Sequence, residues 1–540
     1  MSYEAIVIGS GFGGAITACR LADAGVKVLI LERGRRWDNK AHEGVSAYPE
    51  PGVLDDRWIW DQENPELFNG WLDLRMFGGM SVAQGAAVGG GSLIYASISV
   101  EAPDVVFKRG WPAEINKAEL QPHYDAVAAF MDVHPLPENQ WNPRIRLMKE
   151  GAEKIGADQR FKQLPIAVNF RKDLTLDPEH PPQEADSIFE KNQHGVEQGT
   201  CIHAGRCDIG CPVKAKNTLD VNYIAVAEQK GAQVRPLHFV RRIEENGSGY
   251  RVHFDRIENK KLISGFEDAN MVIVAAGSLG STELLLRCRD EFKTLPNVSQ
   301  RLGKNWSSNG DFLVPAFYRN RELFPEVGPT ISSAIDFLDG SREGQSFWIE
   351  DGGLPPIFKH HMLAAQKSGN AQHPFHELVQ WLQKELQSLN PVDNIMPWFA
   401  QGVDKGDGEF VMKRPWFFFG QKRLHLNWDI TESLPVFNAV LNTHEELSHK
   451  TGGTPLVSPF WKESLVTPHP LGGCNIGNTA DDGVVNHAGE VFGYKNLYVI
   501  DGSIIPTPLG VNPSRTIGAL AERCAAMIVK TKQRALAAAR

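Results

Sequence analysis

The chain has 540 residues, 42% hydrophobic and 22% charged, a composition that belongs to globular proteins with a large core. Its 56 basic and 65 acidic residues leave a net charge of −9, which argues against a nucleic-acid binder or a strongly basic membrane-surface protein. No apolar run is long enough to span a bilayer, nothing resembling a secretory signal precedes the first strand, and seven cysteines do not form a disulfide framework, so a cytoplasmic protein is expected.

Ala5-Ile6-Val7-Ile8 reads as a buried strand entering Gly9-Ser10-Gly11-Phe12-Gly13-Gly14. The helix that follows carries Ile16, Leu21 and Ala24, and the next strand, Leu29-Ile30-Leu31, closes on Glu32. These are the parts of a dinucleotide-binding βαβ unit. Gly9 allows the tight turn, Gly11 lets the backbone approach a pyrophosphate, and Gly14 lets the helix pack close to the strand. The Glu32 carboxylate can accept hydrogen bonds from ribose hydroxyls.

Gly89-Gly90-Gly91-Ser92 follows, flanked by apolar residues that argue against a loose surface loop. Residues 217–245 read as a helix through Leu219, Tyr223, Val226 and Ala227, then a strand over Gln233–Arg242. Met271–Ala276 is a continuous apolar run closed by Gly277, a buried parallel strand leading into a helix over Ser281–Arg289. From about 310 to 465, alternating stretches such as Phe410–Met412 and Arg423–Trp428 predict antiparallel strands. Within that region, leucines at helical spacing in His376–Leu389 read as core, while Trp416–Phe419 suits a pocket lining, a lipid contact or a β-domain core. Leu497–Ile500 is again a buried strand, running into Asp501-Gly502, and Thr516–Val529 predicts a helix.

Several of these segments recur as motifs in a set order. Gly-x-Gly-x-x-Gly, Gly89–Ser92, Ala275-Ala276-Gly277-Ser278, His469-Pro470-Leu471-Gly472-Gly473-Cys474, Gly493–Val499, Asp501-Gly502-Ser503 and Gly510-Val511-Asn512-Pro513 follow one another along the chain. With them the chain resembles the glucose–methanol–choline oxidoreductases, in their cholesterol-oxidase-like branch. The resemblance implies an α/β fold in which both ends of the chain build a Rossmann-like FAD-binding domain around an inserted β-rich substrate domain. On that division, residues 1–40, 77–102, 200–310 and 465–540 belong to the FAD-binding domain. Residues 41–76, 103–199 and 311–464 belong to the substrate-binding or cap domain.

FAD is expected to bind non-covalently, since no attachment motif is evident. Its contacts are expected at Gly9, Gly11, Phe12, Gly13, Gly14 and Glu32, then Gly89, Gly90, Gly91 and Ser92. Tyr95 and Ala96 follow, where the family usually has Asn and Gly. The adenine is expected near Val240, with Ala276, Gly277, Asp501, Gly502, Asn512, Pro513 and Ser514 completing the set.

Oxidising an alcohol requires a proton acceptor beside the cofactor that takes the hydride. His469, an imidazole in a Pro/Gly turn, is the expected proton partner, and the Asn512 amide is expected to hold the substrate oxygen. In cholesterol-oxidase-like proteins a Glu before a Gly/Pro stretch moves a proton between carbons, converting a Δ5-3-ketone into its Δ4 isomer. Glu350, among Phe347, Trp348, Ile349 and Leu354, occupies that place, with Asp351 expected on the opposite face of the strand. The pair His360-His361 has no such context and reads as ordinary.

Cys201, Cys207 and Cys211 resemble a ferredoxin-type cysteine run with Ala204 in the second position. An iron–sulfur cluster there is the disfavoured reading, a knuckle of free thiols the favoured one, and no metal is expected. The expected substrate is a bulky apolar alcohol, plausibly a 3β-hydroxysteroid, with dioxygen, a quinone or a protein as electron acceptor. Two alternatives stand beside it: a flavin dehydrogenase for another alcohol, and a non-catalytic electron-transfer module. Peripheral lipid contact is compatible with the sequence, and nucleic acid is not an expected partner.

Overall fold

The computed structural model describes residues 3–53, 55–247, 249–357, 359, 391–414 and 422–538. The predicted helix over His376–Leu389, the pair His360-His361 and the aromatic run Trp416–Phe419 lie outside the described residues.

The opening strand, Tyr3–Ile8, is buried along nearly its whole length because it lies inside a seven-stranded sheet. Val28–Leu31 pairs with it on one side and Lys261–Val274 on the other, both parallel. Gln233–Arg235 extends the parallel set beyond Val28–Leu31, and Leu497–Val499 joins it through Val272–Val274. The strand Lys261–Val274 is long enough to serve two partners. Its second half lies in the parallel layer, while its first half pairs antiparallel with Tyr250–Glu258, which pairs in turn with His238–Glu245. The predicted strand over Gln233–Arg242 is thus two strands, broken at Pro236 and at Leu237, whose φ is 59°. The apolar side chains of the parallel layer are buried on both faces, each contributing about 1.5–3 kcal/mol.

The helix Phe12–Asp23 packs against the C-terminal helix Ser514–Ala538, which also packs against Lys117–Phe130. The glycines at its start allow the approach: a Cβ on Gly14 would lie 2.1 Å from the Gly9 carbonyl oxygen, and one on Gly13 would lie 1.7 Å from that of Ile500. The helix that follows the third parallel strand spans Gly277–Leu286, starting and ending earlier than the sequence suggests.

A second, six-stranded sheet is antiparallel throughout, in the order Thr454–Pro455, Phe312–Phe317, Ile395–Gly402, Gln345–Asp351, Ser333–Arg342 and Phe161–Gln163. The helices Pro143–Lys154 and Leu434–Thr451 pack on it. The two stretches flagged for alternation form a hairpin, Glu409–Lys413 with Arg423–Asn427. No described helix is long and apolar enough to cross a membrane.

Candidate active site

One cavity of about 650 Å³ takes its lining from three places: the C-terminal ends of the parallel strands, residues 90–96, and the cavity face of the antiparallel sheet. Ends of parallel strands are where α/β sheets bind ligands. From the first come Gly9, Gly11, Phe12, Gly13, Glu32, Ala276, Gly277, Asp501 and Gly502, from the second Gly90, Gly91, Tyr95 and Ala96, and Val240 joins them from the antiparallel strand His238–Glu245. Leu313, Ile331, Leu354, Phe399 and Val466 make an apolar wall, to which His469, Asn512 and Pro513 are joined.

The nucleotide side has the features a flavin dinucleotide needs. Hypothetical Cβ atoms on Gly11 and Gly91 meet nothing within 4 Å, so the backbone at both is open to the cavity. The helix Phe12–Asp23 begins at Gly11 with no side-chain cap and no acidic residue in its first turn. Its N–H groups and dipole are left for an anionic group. Glu32 is buried and lines the cavity while accepting from Ser10 N (3.0 Å), Ser10 Oγ (2.6 Å) and Gly34 N (2.9 Å). Oε2 takes both bonds from Ser10, and Oε1, with one bond from Gly34, keeps acceptor capacity for a ribose.

Four of the residues expected at the cofactor make contacts within the protein. Gly14 packs against Gly9 and is a packing residue. Gly89, at φ 98°, donates its N–H to Ser10 Oγ at 3.0 Å, and Ser92 Oγ donates to the Gly89 carbonyl at 2.7 Å, so these two shape the turn that presents Gly90 and Gly91. Ser514 spends its hydroxyl on the Ile98 carbonyl at 2.8 Å. None of the four lines the cavity. Tyr95 does, with its ring edge-on to Phe12 and its hydroxyl donating to the Asn217 carbonyl at 2.8 Å. Asp501 ties two motifs together by accepting from Gly277 N (2.9 Å), Ser281 Oγ (2.5 Å) and Ser503 N (2.8 Å).

His469 reaches the cavity from a turn that only glycine can make. Cβ atoms on Gly472 and Gly473, at φ 80° and 107°, would lie 2.1 Å from the Asn305 carbonyl oxygen and 2.2 Å from Thr282 Oγ1. The His469 ring is 17% exposed, and its Nδ1 lies 2.9 and 3.1 Å from the two oxygens of Asp311. Asp311 is fully buried and also accepts from Thr467 Oγ1 at 2.5 Å. Burial raises its carboxyl above the usual range, and the neighbouring His469 works against that rise.

Asn512 is delivered by a different side chain of the same segment. Asn309 accepts from Leu509 N and Gly510 N, each at 2.9 Å, and donates to the Val511 carbonyl at 2.9 Å. Asp404 secures the segment by accepting from Ser307 Oγ (2.7 Å), Ser308 N (3.0 Å) and Ser308 Oγ (2.8 Å). The stretch Ser307–Asp311 thus holds both cavity residues, and the sequence had singled out neither Asn309 nor Asp311.

Glu350 lies in register with Phe399, which is itself in register with Leu313, so the three share one face of the sheet. It is fully buried and absent from the cavity surface, behind Asn512. Gln401 donates to its Oε2 at 3.1 Å, while its Oε1 and the Asn512 Oδ1 have no protein partner. Burial pushes its carboxyl well above the usual range, the charges of Asp351 and Asp311 add to the rise, and the Asn512 and Gln401 amides oppose it. Asp351 faces the other way and accepts from Ser332 N (2.8 Å), Ser332 Oγ (2.8 Å) and Ser333 N (2.6 Å).

Behind the wall, the fully buried Arg144 donates to the carbonyls of Val327 (3.2 Å), Pro329 (2.8 Å), Thr330 (3.1 Å), Asp351 (2.6 Å) and Gly352 (2.7 Å). It fixes the loops that carry Ile331 and Gly353 to the cavity.

Cys201, Cys207 and Cys211 are free thiols, and burial raises Cys201 and brings Cys207 to about 11. His203 is paired with Gln140 at 2.9 Å. Among the described residues no group of three or more His, Cys, Asp or Glu side chains is arranged to hold a metal ion.

Comparison with known proteins adds a family model described as GMC oxidoreductase, which matches residues 423–521, and one described as an NAD(P)-binding Rossmann-like domain, which matches residues 7–38. A cholesterol oxidase of Acinetobacter baumannii is 30% identical over 97% of this chain and 94% of its own length. A long-chain-alcohol oxidase of Arabidopsis thaliana is 23% identical over 98% of this chain and 68% of its own. Among solved structures, the pyridoxine 4-oxidase of Mesorbium loti superposes with a TM-score of 0.61 at 16% identity, covering 97% of this chain and 99% of that one.

Proposed function

Because the chain belongs to the glucose–methanol–choline oxidoreductases and is an FAD-dependent alcohol oxidoreductase, we propose that its substrate is a bulky, apolar secondary alcohol of the 3β-hydroxysteroid class. The observation that carries this reading is the placement of His469 and Asn512 in the apolar wall of the cavity, with a buried carboxyl, Glu350, directly behind. A small polar alcohol would leave that wall wet, whereas a fused-ring alcohol covers it and brings only its hydroxyl to the polar pair. The similarity to a cholesterol oxidase along nearly the whole chain supports the same class.

FAD supplies the acceptor for the carbinol hydride when bound. Gly11, Gly91 and the free helix start would hold its pyrophosphate and ring, and Glu32 its ribose. His469 accepts the hydroxyl proton at the ring nitrogen not engaged by Asp311, and Asn512 orients the substrate oxygen. Glu350, whose carboxyl burial pushes well above the usual range, is in its ionised form the base that takes a proton from one carbon of the ketone product and returns it to another. Dioxygen is the electron acceptor in this reading, in keeping with the oxidases among the relatives. We assign the antiparallel sheet to the substrate domain and the parallel one to the cofactor domain, with the boundaries given by the sequence.

The test is anaerobic mixing with cholesterol and, separately, with 1-dodecanol. Rapid bleaching of the flavin bands by cholesterol alone supports the steroid class. Bleaching by 1-dodecanol alone keeps the family and moves the substrate to long-chain alcohols. Glu350→Gln is expected to oxidise the steroid and accumulate the unconjugated ketone. Unchanged product ratios in that variant would remove Glu350 from the chemistry.

A further inference from the structure

We propose that Asp311 is a positioning residue that fixes the tautomer of His469 and makes Nε2, the nitrogen left for the cavity, the proton acceptor. This rests on the reading of His469 as the proton partner. Both oxygens of Asp311 lie within hydrogen-bond distance of Nδ1, at 2.9 and 3.1 Å. Thr467 Oγ1 lies 2.5 Å from the same carboxyl and 2.9 Å from the Ser308 carbonyl, and an ionised Asp311 can only accept, so Nδ1 is the donor. A neutral imidazole carries one N–H, and with the proton on Nδ1 its Nε2 lone pair is free. The His469 backbone N–H donates to Thr467 Oγ1 at 2.9 Å, so one threonine orients both members of the pair.

The electrostatic consequence appears at proton transfer. The substrate O–H bond breaks and its proton forms the Nε2–H bond. The electron pair left on oxygen becomes the second carbonyl bond as the carbinol hydrogen leaves with its two electrons for FAD. His469 ends as an imidazolium against an ionised Asp311, so the pair carries no net charge in its buried setting. Without the carboxylate the same transfer would strand a cation there.

Among the described residues, Asp311 is the carboxylate in contact with Nδ1, and its neighbours are engaged otherwise. Glu350, on a strand separated from Phe312–Phe317 by Ile395–Gly402, senses the Asp311 charge and is held neutral by burial, and Asp351 points to the opposite face of the sheet. Asp404 is occupied by Ser307 and Ser308. His444, stacked behind Phe312, is kept neutral by burial, which lowers it to about 3.

Two measurements test this. In holoenzyme labelled with ¹⁵N at histidine, long-range ¹H–¹⁵N spectra near neutral pH should show His469 protonated at Nδ1 and bare at Nε2, its signals assigned by their loss in His469→Asn. A proton on Nε2 in the wild type overturns the proposal, and this result needs no Asp311 variant to fold. Asp311→Asn is expected to retain the flavin absorbance spectrum while slowing anaerobic flavin reduction by about 10²-fold. In the same variant the ¹⁵N spectra should show the His469 proton no longer fixed on Nδ1, because the amide that replaces the carboxylate can donate as well as accept. A residue that only braced the fold would leave the His469 tautomer in place, and an unchanged tautomer in Asp311→Asn defeats the proposal. A wild-type flavin that no alcohol bleaches would instead defeat the reading of His469 on which the proposal rests.

Discussion

Asn309 offers a way to disturb the site without touching a residue that lines it. Its side chain makes three hydrogen bonds to the backbone of Leu509, Gly510 and Val511, immediately before Asn512. It is itself fully buried and adopts φ 57°. At about 1 kcal/mol net per hydrogen bond, replacing the side chain costs about 3 kcal/mol. Alanine adds about 1–2 kcal/mol more, because a Cβ is strained in the left-handed region, whereas glycine adds no such strain. Asn309→Gly should therefore lose about 3 kcal/mol in urea unfolding and Asn309→Ala about 4–5 kcal/mol. Both should slow flavin reduction by about 10²-fold, since an ångström of misplacement at Asn512 is enough for that. Variants within about 0.5 kcal/mol of wild type that also turn over at its rate would refute the view that this segment sets the position of Asn512.

Two further expectations concern the opening motif and acid stability. Gly11→Ala should fold with the stability of the wild-type apoprotein but bind FAD weakly, as its methyl group enters the cavity. Gly13→Ala, with its Cβ 1.7 Å from the Ile500 carbonyl oxygen, should fail to accumulate as folded protein, and expression with flavin fluorescence separates the two. His444 is buried and lowered to about 3, so its folded value lies below its unfolded value of about 6.5. The stability it contributes is complete above about pH 6.5 and drains away as pH falls towards 3. His444→Phe should accordingly take up one proton fewer on unfolding near pH 5, which calorimetry in buffers of different ionisation enthalpy would detect; equal uptake would contradict a neutral His444.

Local pattern carried the sequence reading far wherever function required small residues. The turn at Gly9–Gly14, the Gly472-Gly473 turn behind His469 and the Asp501-Gly502 turn each need backbone where a side chain would collide, and such needs are written into adjacent residues. The alternation that separates Glu350 from Asp351 was legible for a similar reason, because a strand has a period of two. Asn309 and Asp311 were not legible. Ser307-Ser308-Asn309-Gly310-Asp311 has the composition of an exposed turn, and only tertiary structure buries it and brings it against residues near 469 and 512. The one hint was its position between two large apolar residues, Trp306 and Phe312, both buried. Gly89 and Ser92 were expected to contact the cofactor, and in the structure both make hydrogen bonds that shape the turn presenting Gly90 and Gly91.

The seating of Gly13 on Ile500 also bears on the order of events during biosynthesis. The first helix, whose start faces the cofactor cavity, leaves the ribosome well before its floor, which belongs to residues 497–513. Until those residues emerge, the parallel sheet lacks its Leu497–Val499 strand, and Asp501 is not yet there to tie down Gly277 and Ser281. A ribosome stalled before residue 497 should therefore hold a chain without flavin, which flavin fluorescence of the stalled complex would check. Contacts between the two ends of a 540-residue chain form slowly, which leaves a long interval in which apolar strands are open to chaperones and proteases. In a cell short of riboflavin, the same arrangement would let loss of this protein follow from folding as well as from catalysis.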